Sequence, residues 1–171
     1  VTIAANLTTD GGQVIMTGGG QLFVDGGATR IINTGGDDGD AATGGVVDFS
    51  GLADIAGVTS AGQFNIDTEG ATNGGNVLLN TTNGVGNAGG TGINRIDIDT
   101  SAATGTDTPG TVRLGDVSLF VTATTASQFN INDDDATPGD IIIGSTIDMS
   151  SATNGVAGGA VDFGVSDVVP A

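Results

Sequence analysis

The chain has 171 residues and a formal net charge of −17, from 20 acidic residues against three arginines, and it contains no Lys, His, Cys, Trp or Tyr. Without Cys or His there can be no cysteine nucleophile, Ser-His-Asp triad, structural zinc centre or disulfide. Three cations are too few for a nucleic-acid footprint, and no run approaches 18 consecutive apolar residues, so no membrane-spanning helix is expected.

The predicted elements are short strands from one end to the other. In chain order they are Val1–Ala5, Gln13–Thr17, Gln21–Asp25, Arg30–Thr34, Val46–Ser50 and Ile55–Thr59. There follow Phe64–Asp67, Val77–Asn80, Ile93–Asp99, Thr111–Leu114, Ser118–Thr122, Phe129–Asn132, Asp140–Ile143, Thr146–Met149 and Ala160–Val165. Each alternates or runs apolar over a few residues, and Gly-Gly, Asp-Gly, Asn-Gly or Pro-Gly separates most of them. Helix is disfavoured because the 32 glycines each cost about 1 kcal/mol in a helix interior. The longest stretch free of Gly and Pro, Asp116 to Thr137, is rich in Thr, Val and Ser, which favour strands.

The sequence repeats. Gln63-Phe64-Asn65-Ile66 matches Gln128-Phe129-Asn130-Ile131, and Gly11-Gly12-Gln13-Val14 matches Gly74-Gly75-Asn76-Val77. Val1-Thr2-Ile3 also overlays Phe64-Asn65-Ile66, Arg30-Ile31 overlays Arg95-Ile96, and Val47-Asp48-Phe49 overlays Val112-Arg113-Leu114. In a shortened third copy, Ile147-Asp148-Met149 answers Ile96-Asp97-Ile98, and Val161-Asp162-Phe163 answers Val112-Arg113-Leu114. One elongated repeat domain over 1–171 is expected, with units 1–63, 64–128 and 129–171. The fold expected is an all-β parallel β-solenoid, the alternative a string of β-sandwich modules. A unit with about two Phe and no Trp buries too little to stand as its own sandwich, whereas a solenoid coil borrows its neighbour's apolar face. Three coils of about 21 residues per unit would each hold three strands of ordinary length.

Asp outnumbers Glu 19 to one, and Asp combines a preference for turns with a short arm for hard cations. Asp37, Asp38 and Asp40 lie in a Gly-rich stretch, and Asp133, Asp134 and Asp135 follow the strand at Phe129–Asn132. These six are the candidate Ca²⁺ ligands, set against solvated acidic turns; Asp67 and Glu69 form a third, weaker candidate. The EF-hand pattern is absent. Arg95, Asp97 and Asp99 share one strand face. Asp148 repeats Asp97 on this alignment, which favours ladder positions over a catalytic pair, and no enzyme is expected. Asn73, Asn83 and Asn154, each followed by Gly, fit turns and stacked amides.

Stretches such as Gly75-Asn76-Val77-Leu78-Leu79-Asn80-Thr81 and Gly12-Gln13-Val14-Ile15-Met16-Thr17 have the form Gly, polar, then an alternating apolar strand ending in Thr or Asn. In this the whole chain resembles the repeat regions of giant bacterial surface proteins, the filamentous-haemagglutinin-like adhesins. It departs from calcium-binding nonapeptide arrays, of which Gly35-Gly36-Asp37-Asp38-Gly39-Asp40 is a single echo. The resemblance implies an extracellular, cell-surface structural or adhesive segment. Val1 follows no initiator Met or basic-then-apolar signal, so a mature piece or fragment is expected. Copies are expected to continue head to tail into a filament, with cell-surface or matrix ligands as further partners and neither nucleic acid nor membrane insertion. The alternatives are a calcium-dependent adhesin binding module and, more remotely, a β-helical polysaccharide-acting enzyme.

Overall fold

The structure is a computed structural model that describes residues 1–25, 27–35, 42–58, 62–88, 91–103, 108–119, 127–131, 139–150, 157–164 and 166–171. Every regular element among them is a strand, and the strands stack into a β-solenoid with three parallel faces. Face A collects β1 (Thr2–Ile3), β4 (Gln21–Val24), β7 (Asp54–Gly57), β10 (Val85–Ala88), β13 (Val117–Ser118) and β16 (Ile147–Asp148). Face B collects β2 (Leu7–Thr8), β5 (Thr29–Asn33), β8 (Gly62–Asp67), β11 (Thr91–Asp99), β14 (Gln128–Ile131) and β17 (Ala160–Asp162). Face C collects β3 (Val14–Ile15), β6 (Val47–Asp48), β9 (Val77–Leu79), β12 (Val112–Leu114), β15 (Ile141–Ile143) and β18 (Val168–Pro170). One corner departs from the pattern: β10 turns back on β11 as an antiparallel pair through Asn87↔Gly92 and Ala88↔Thr91.

The core is a set of aliphatic columns running along the stack. Face A points Leu22, Ile55, Val85, Val117 and Ile147 inward in one column. Face B contributes Leu7, Ile32, Ile66, Ile98 and Ile131, and beside them Phe64, Ile96, Phe129 and Val161. Face C contributes Val14, Val47, Val77, Val112, Ile141 and Val168. In the middle layers these side chains are fully buried. β-branched residues suit the columns because each packs on a near-copy of itself one layer away, about 4.8 Å along the axis.

The layer spacing corrects the repeat arithmetic. Ile32, Ile66, Ile98 and Ile131 are successive occupants of one column, so a circuit takes 34, 32 and 33 residues here, not about 21. The corners, especially between faces B and C, consume the difference. Gln63 and Gln128 stand on either side of Arg95, two layers apart, so the strongest sequence match spans two circuits rather than three. Three overlays fail. Val1-Thr2-Ile3 is on face A, whereas Phe64-Asn65-Ile66 is on face B. Ile147-Asp148 belongs to face A and Val161-Asp162 to face B, away from their proposed counterparts on faces B and C. Asp148 therefore stacks on Ser118 and does not repeat Asp97.

Arg30 and Arg95 are not equivalent either. Arg30 pairs with Phe64 and thereby with the column of Ile96, while Arg95 pairs with Gln63. A slip of one residue reverses the face of every side chain, so Arg30 points into the core side and Arg95 outward. The strands missed in the sequence are β2, β10 and β18. The first is two residues long, the second contains Gly86 at φ 121°, and the third ends on Pro170, which cannot donate to a ladder.

A single device turns the chain from face B to face C. Thr9, Thr34, Thr68 and Thr100 each donate a hydroxyl hydrogen bond across the corner, to the carbonyls of Gly12, Gly45, Gly75 and Gly110 at 2.6, 2.6, 2.6 and 3.1 Å. The last three threonines are completely buried. The same clamp closes segments of quite different length, so a loop can grow at this corner without disturbing the layers. The accepting glycines stack as well: a Cβ on Gly75 would overlap the Gly45 carbonyl oxygen, and one on Gly110 would overlap that of Gly75.

Candidate functional site

The outward side of face B is a grid of polar columns. One runs Thr29, Gln63, Arg95, Gln128; the next Ile31, Asn65, Asp97, Asn130, Asp162; the third Asn33, Asp67, Asp99. Neighbouring layers are tied by side chains along each column. Thr29 Oγ1 bonds Gln63 Oε1 at 2.8 Å, Asn33 Nδ2 donates to Asp67 Oδ2 at 3.1 Å, and Asn130 Nδ2 donates to Asp97 Oδ1 at 2.8 Å. Arg95 donates through Nε to Asp97 Oδ2 at 2.6 Å and through Nη1 to Gln128 Oε1 at 3.0 Å. Asp97 is therefore held by an arginine and an amide at once, and it diverges from Asp99, its apparent partner in the sequence.

Asp99 meets a different group. At the B–C corner, Asp67, Glu69 and Asp99 bring one carboxylate oxygen each within 4.8 Å of one another, all half-buried. The strand register makes this happen, since Asp67 and Asp99 are direct parallel partners. The turn following each strand fixes the carboxylates. Asp67 Oδ1 accepts the Glu69 N–H at 3.0 Å, and Asp99 Oδ1 accepts both the N–H and the hydroxyl of Ser101, at 2.9 and 2.6 Å. Asn33 makes the same turn by accepting the Gly35 N–H at 2.9 Å. These are Asx turns, which let a short side chain replace the next strand bond.

Burial pushes the Asp67 carboxyl above its ordinary value, and the Asp99 charge adds to that, while the Glu69 N–H pulls the other way. Three carboxylates on two stacked turns, one of them reluctant to ionise, form a donor set of the kind a hard divalent cation takes. Asp67 and Glu69 were legible as a pair; Asp99 was not joined to them because a repeat near 64 residues hides a partner 32 residues away. The recurrence Ile66-Asp67-Thr68 and Ile98-Asp99-Thr100 is the signal that finds it. Asp37, Asp38, Asp40, Asp133, Asp134 and Asp135 lie outside the described residues. In the chain they fall between β5 and β6 and between β14 and β15, the segments that connect face B to face C.

Two other features lie away from this corner. Arg30 is paired with Asp25 at 3.0 Å, and its Nε is buried without a hydrogen-bond partner. On face A the outward residues Ala56, Gly86 and Ser118 are small, which leaves a cleft of about 190 Å³ bordered by Asp54, Asn83, Gly84 and Asp116. Asp54 accepts Gln21 Nε2 at 2.7 Å. The exposed Asp116 carboxyl is held below its ordinary value by the Ser145 hydroxyl and the Thr146 N–H. Comparison with protein-family models, curated proteins and solved structures found no match to this chain.

Proposed function

We propose that this chain is a structural, adhesive segment of an extracellular fibre or giant cell-surface protein, extended along its stacking axis by further layers of the same kind. The observation that carries this reading is repetition. The aliphatic columns, the Thr–Gly clamp and the outward polar columns recur layer after layer, so the side chains serve stacking along an axis rather than convergence on one point. Six layers at about 4.8 Å give a stack only about 29 Å tall; the segment becomes a rod only as layers are added. At the two ends of the described stack, Val1, Leu7 and Ile15 on one side and Val161 and Val168 on the other remain exposed. Strand edges of this kind are templates for another strand, whether from the same polypeptide or from another copy.

Like charges oppose such growth, and at a net charge of −17 the contact needs screening. Electron microscopy of the purified chain across salt and calcium concentrations tests the proposal. Filaments of constant width that lengthen with protein concentration are expected. Monodisperse particles about as long as wide, at high concentration and in ample salt, would remove the assembly half of the reading.

The Asp67, Glu69 and Asp99 group favours a second reading, a binding module whose B–C corner is ordered by Ca²⁺. Thermal unfolding with calcium and then with a chelator discriminates. A melting temperature that rises with calcium and falls back with chelator supports it, and identical curves reduce the corner to solvated turns.

A further inference from the structure

We propose that Asn83 is a site of spontaneous backbone modification, at which the chain converts its own Asn-Gly peptide to aspartate and isoaspartate. The chemistry needs an asparagine side chain free to swing onto the nitrogen of the next residue, and a next residue without a Cβ to block it. Three Asn-Gly pairs occur, at Asn73, Asn83 and Asn154; the third lies outside the described residues. The other two are held very differently.

Asn73 is locked. Its Nδ2 donates to the hydroxyls of Thr43 and Thr72 at 3.3 and 3.2 Å, and the nitrogen that would attack, that of Gly74, donates to the Thr108 carbonyl at 2.9 Å. Asn83 is exposed at the corner leading into β10. Among the described residues neither its side-chain amide nor the Gly84 N–H has a hydrogen-bond partner. Gly84 sits at φ 95°, a left-handed conformation that glycine adopts without a steric penalty.

The Gly84 nitrogen, losing its proton to solvent base, attacks the Asn83 side-chain carbonyl carbon. A C–N bond forms, the side-chain amide C–N bond breaks, and ammonia leaves with a proton from water. One water then opens the resulting succinimide at either carbonyl, giving aspartate or isoaspartate. The position gives the event a consequence. The Asn83 N–H donates to the Ala53 carbonyl at 2.7 Å, and the Gly84 carbonyl accepts the Ile55 N–H at 3.2 Å. Isoaspartate inserts an extra backbone carbon between those two bonds, so β7 and β10 can no longer both keep their register. The new carboxylate also joins the rim of the face A cleft beside Asp54 and Asp116.

The test ages the folded protein at mildly alkaline pH and cleaves it at Asp residues; Asn73 and Asn83 share the peptide from Asp67 to Ile96, so fragment-ion masses and isoaspartate labelling assign the conversion to each position. Asn83 is expected to convert at least about tenfold faster than Asn73, the factor supplied by one broken hydrogen bond of ordinary strength. In urea the two rates should approach each other, because the local sequences share the same Gly. Equal rates in the folded protein, a faster Asn73, or an Asn83 that reacts only in urea would overturn the proposal. A second measurement follows amide exchange at Ile55: aged wild type should lose protection there while aged Asn83→Gln keeps it. Equal loss in both would place the damage elsewhere and overturn the assignment of its effect to Asn83.

Discussion

Gly75→Ala tests the stacking argument most directly. The added Cβ would overlap the Gly45 carbonyl oxygen, and would lie 2.7 Å from that carbonyl's carbon and 2.8 Å from the Gly44 oxygen. Ordinary non-bonded separations are about 3.5 Å, so the two layers would have to part locally by roughly 1 Å. The surrounding bonds resist. Gly75 N–H donates to Thr68 O at 2.8 Å, Gly45 N–H to Thr34 O at 3.1 Å, and Thr68 Oγ1 to Gly75 O at 2.6 Å. Overpacking costs about 1–3 kcal/mol, and weakening one or two such bonds adds about 1 kcal/mol each. A loss of about 3 kcal/mol is expected, read as a lower urea midpoint at unchanged slope. Gly20→Ala is the control, since nothing lies within 4 Å of the new methyl, and it should stay within about 0.5 kcal/mol of wild type. A Cβ on Gly45 would meet the Gly12 carbonyl instead, so Gly45→Ala forces apart the neighbouring pair of layers and should carry a similar cost of its own. A Gly75→Ala protein indistinguishable from wild type would refute the idea that close glycine stacking sets the layer spacing at this corner.

Three further outcomes follow from the same geometry. Thr68→Val keeps the shape but leaves the Gly75 carbonyl without its hydroxyl partner in a buried corner, and should cost about 1–3 kcal/mol by chemical denaturation. Asp67→Asn should stabilise the protein at neutral pH by about 0.2–1 kcal/mol, the worth of a like-charge cross-strand pair. The raised carboxyl of Asp67 favours folding when protonated, so its contribution is complete below the unfolded value of 3.8 and is lost as pH rises through the higher folded value; the variant's advantage in thermal unfolding should therefore vanish in acid. For the inward pair, Asp25→Ala leaves the more buried Arg30 guanidinium without its carboxylate and should cost about 1–2 kcal/mol, whereas Arg30→Met releases a carboxylate that is the more exposed of the two and should cost less. Equal losses in the two variants would contradict this asymmetry.

The solenoid was legible because its two causes are both local. Alternating Val, Ile and Leu mark strands, and Gly-rich breaks mark corners, so Gln21–Val24, Thr29–Asn33 and Val77–Leu79 fall inside or beside predicted segments. The circuit length was not, because overall similarity favours the two-layer match of Gln63 with Gln128 over the weaker one-layer match of Gln63 with Arg95. A recurring Ile-Asn/Asp-Thr triplet at residues 32–34, 66–68 and 98–100 shows the shorter period, since the corner chemistry constrains those three side chains together. Arg30 misled for a different reason: identity of residue type outweighed the alternation that places it one step out of phase with Arg95. The meeting of Asp67, Glu69 and Asp99 depends on pairing between strands 32 residues apart, which composition does not encode.

How a chain with a net charge of −17 stacks at all is answered by the order of its outward columns. Residues paired across parallel layers stand about 4.8 Å apart, and a column of carboxylates at that spacing would repel along its whole length. The strand-paired positions avoid this by interleaving amides and carboxylates: Gln21 on Asp54, Asn33 on Asp67, Asn130 between Asp97 and Asp162. In three of these contacts the amide donates directly to the carboxylate below or above it, so each negative charge meets a dipole instead of another charge. Among the described strand pairs the interleaving fails at Asp67 on Asp99, where acid stacks on acid, and that is the pair Glu69 joins. Among the described residues, the corner that breaks the rule is thus also the one where three carboxylates gather, so added divalent cation should act on the contact between these two layers more than on the interleaved columns.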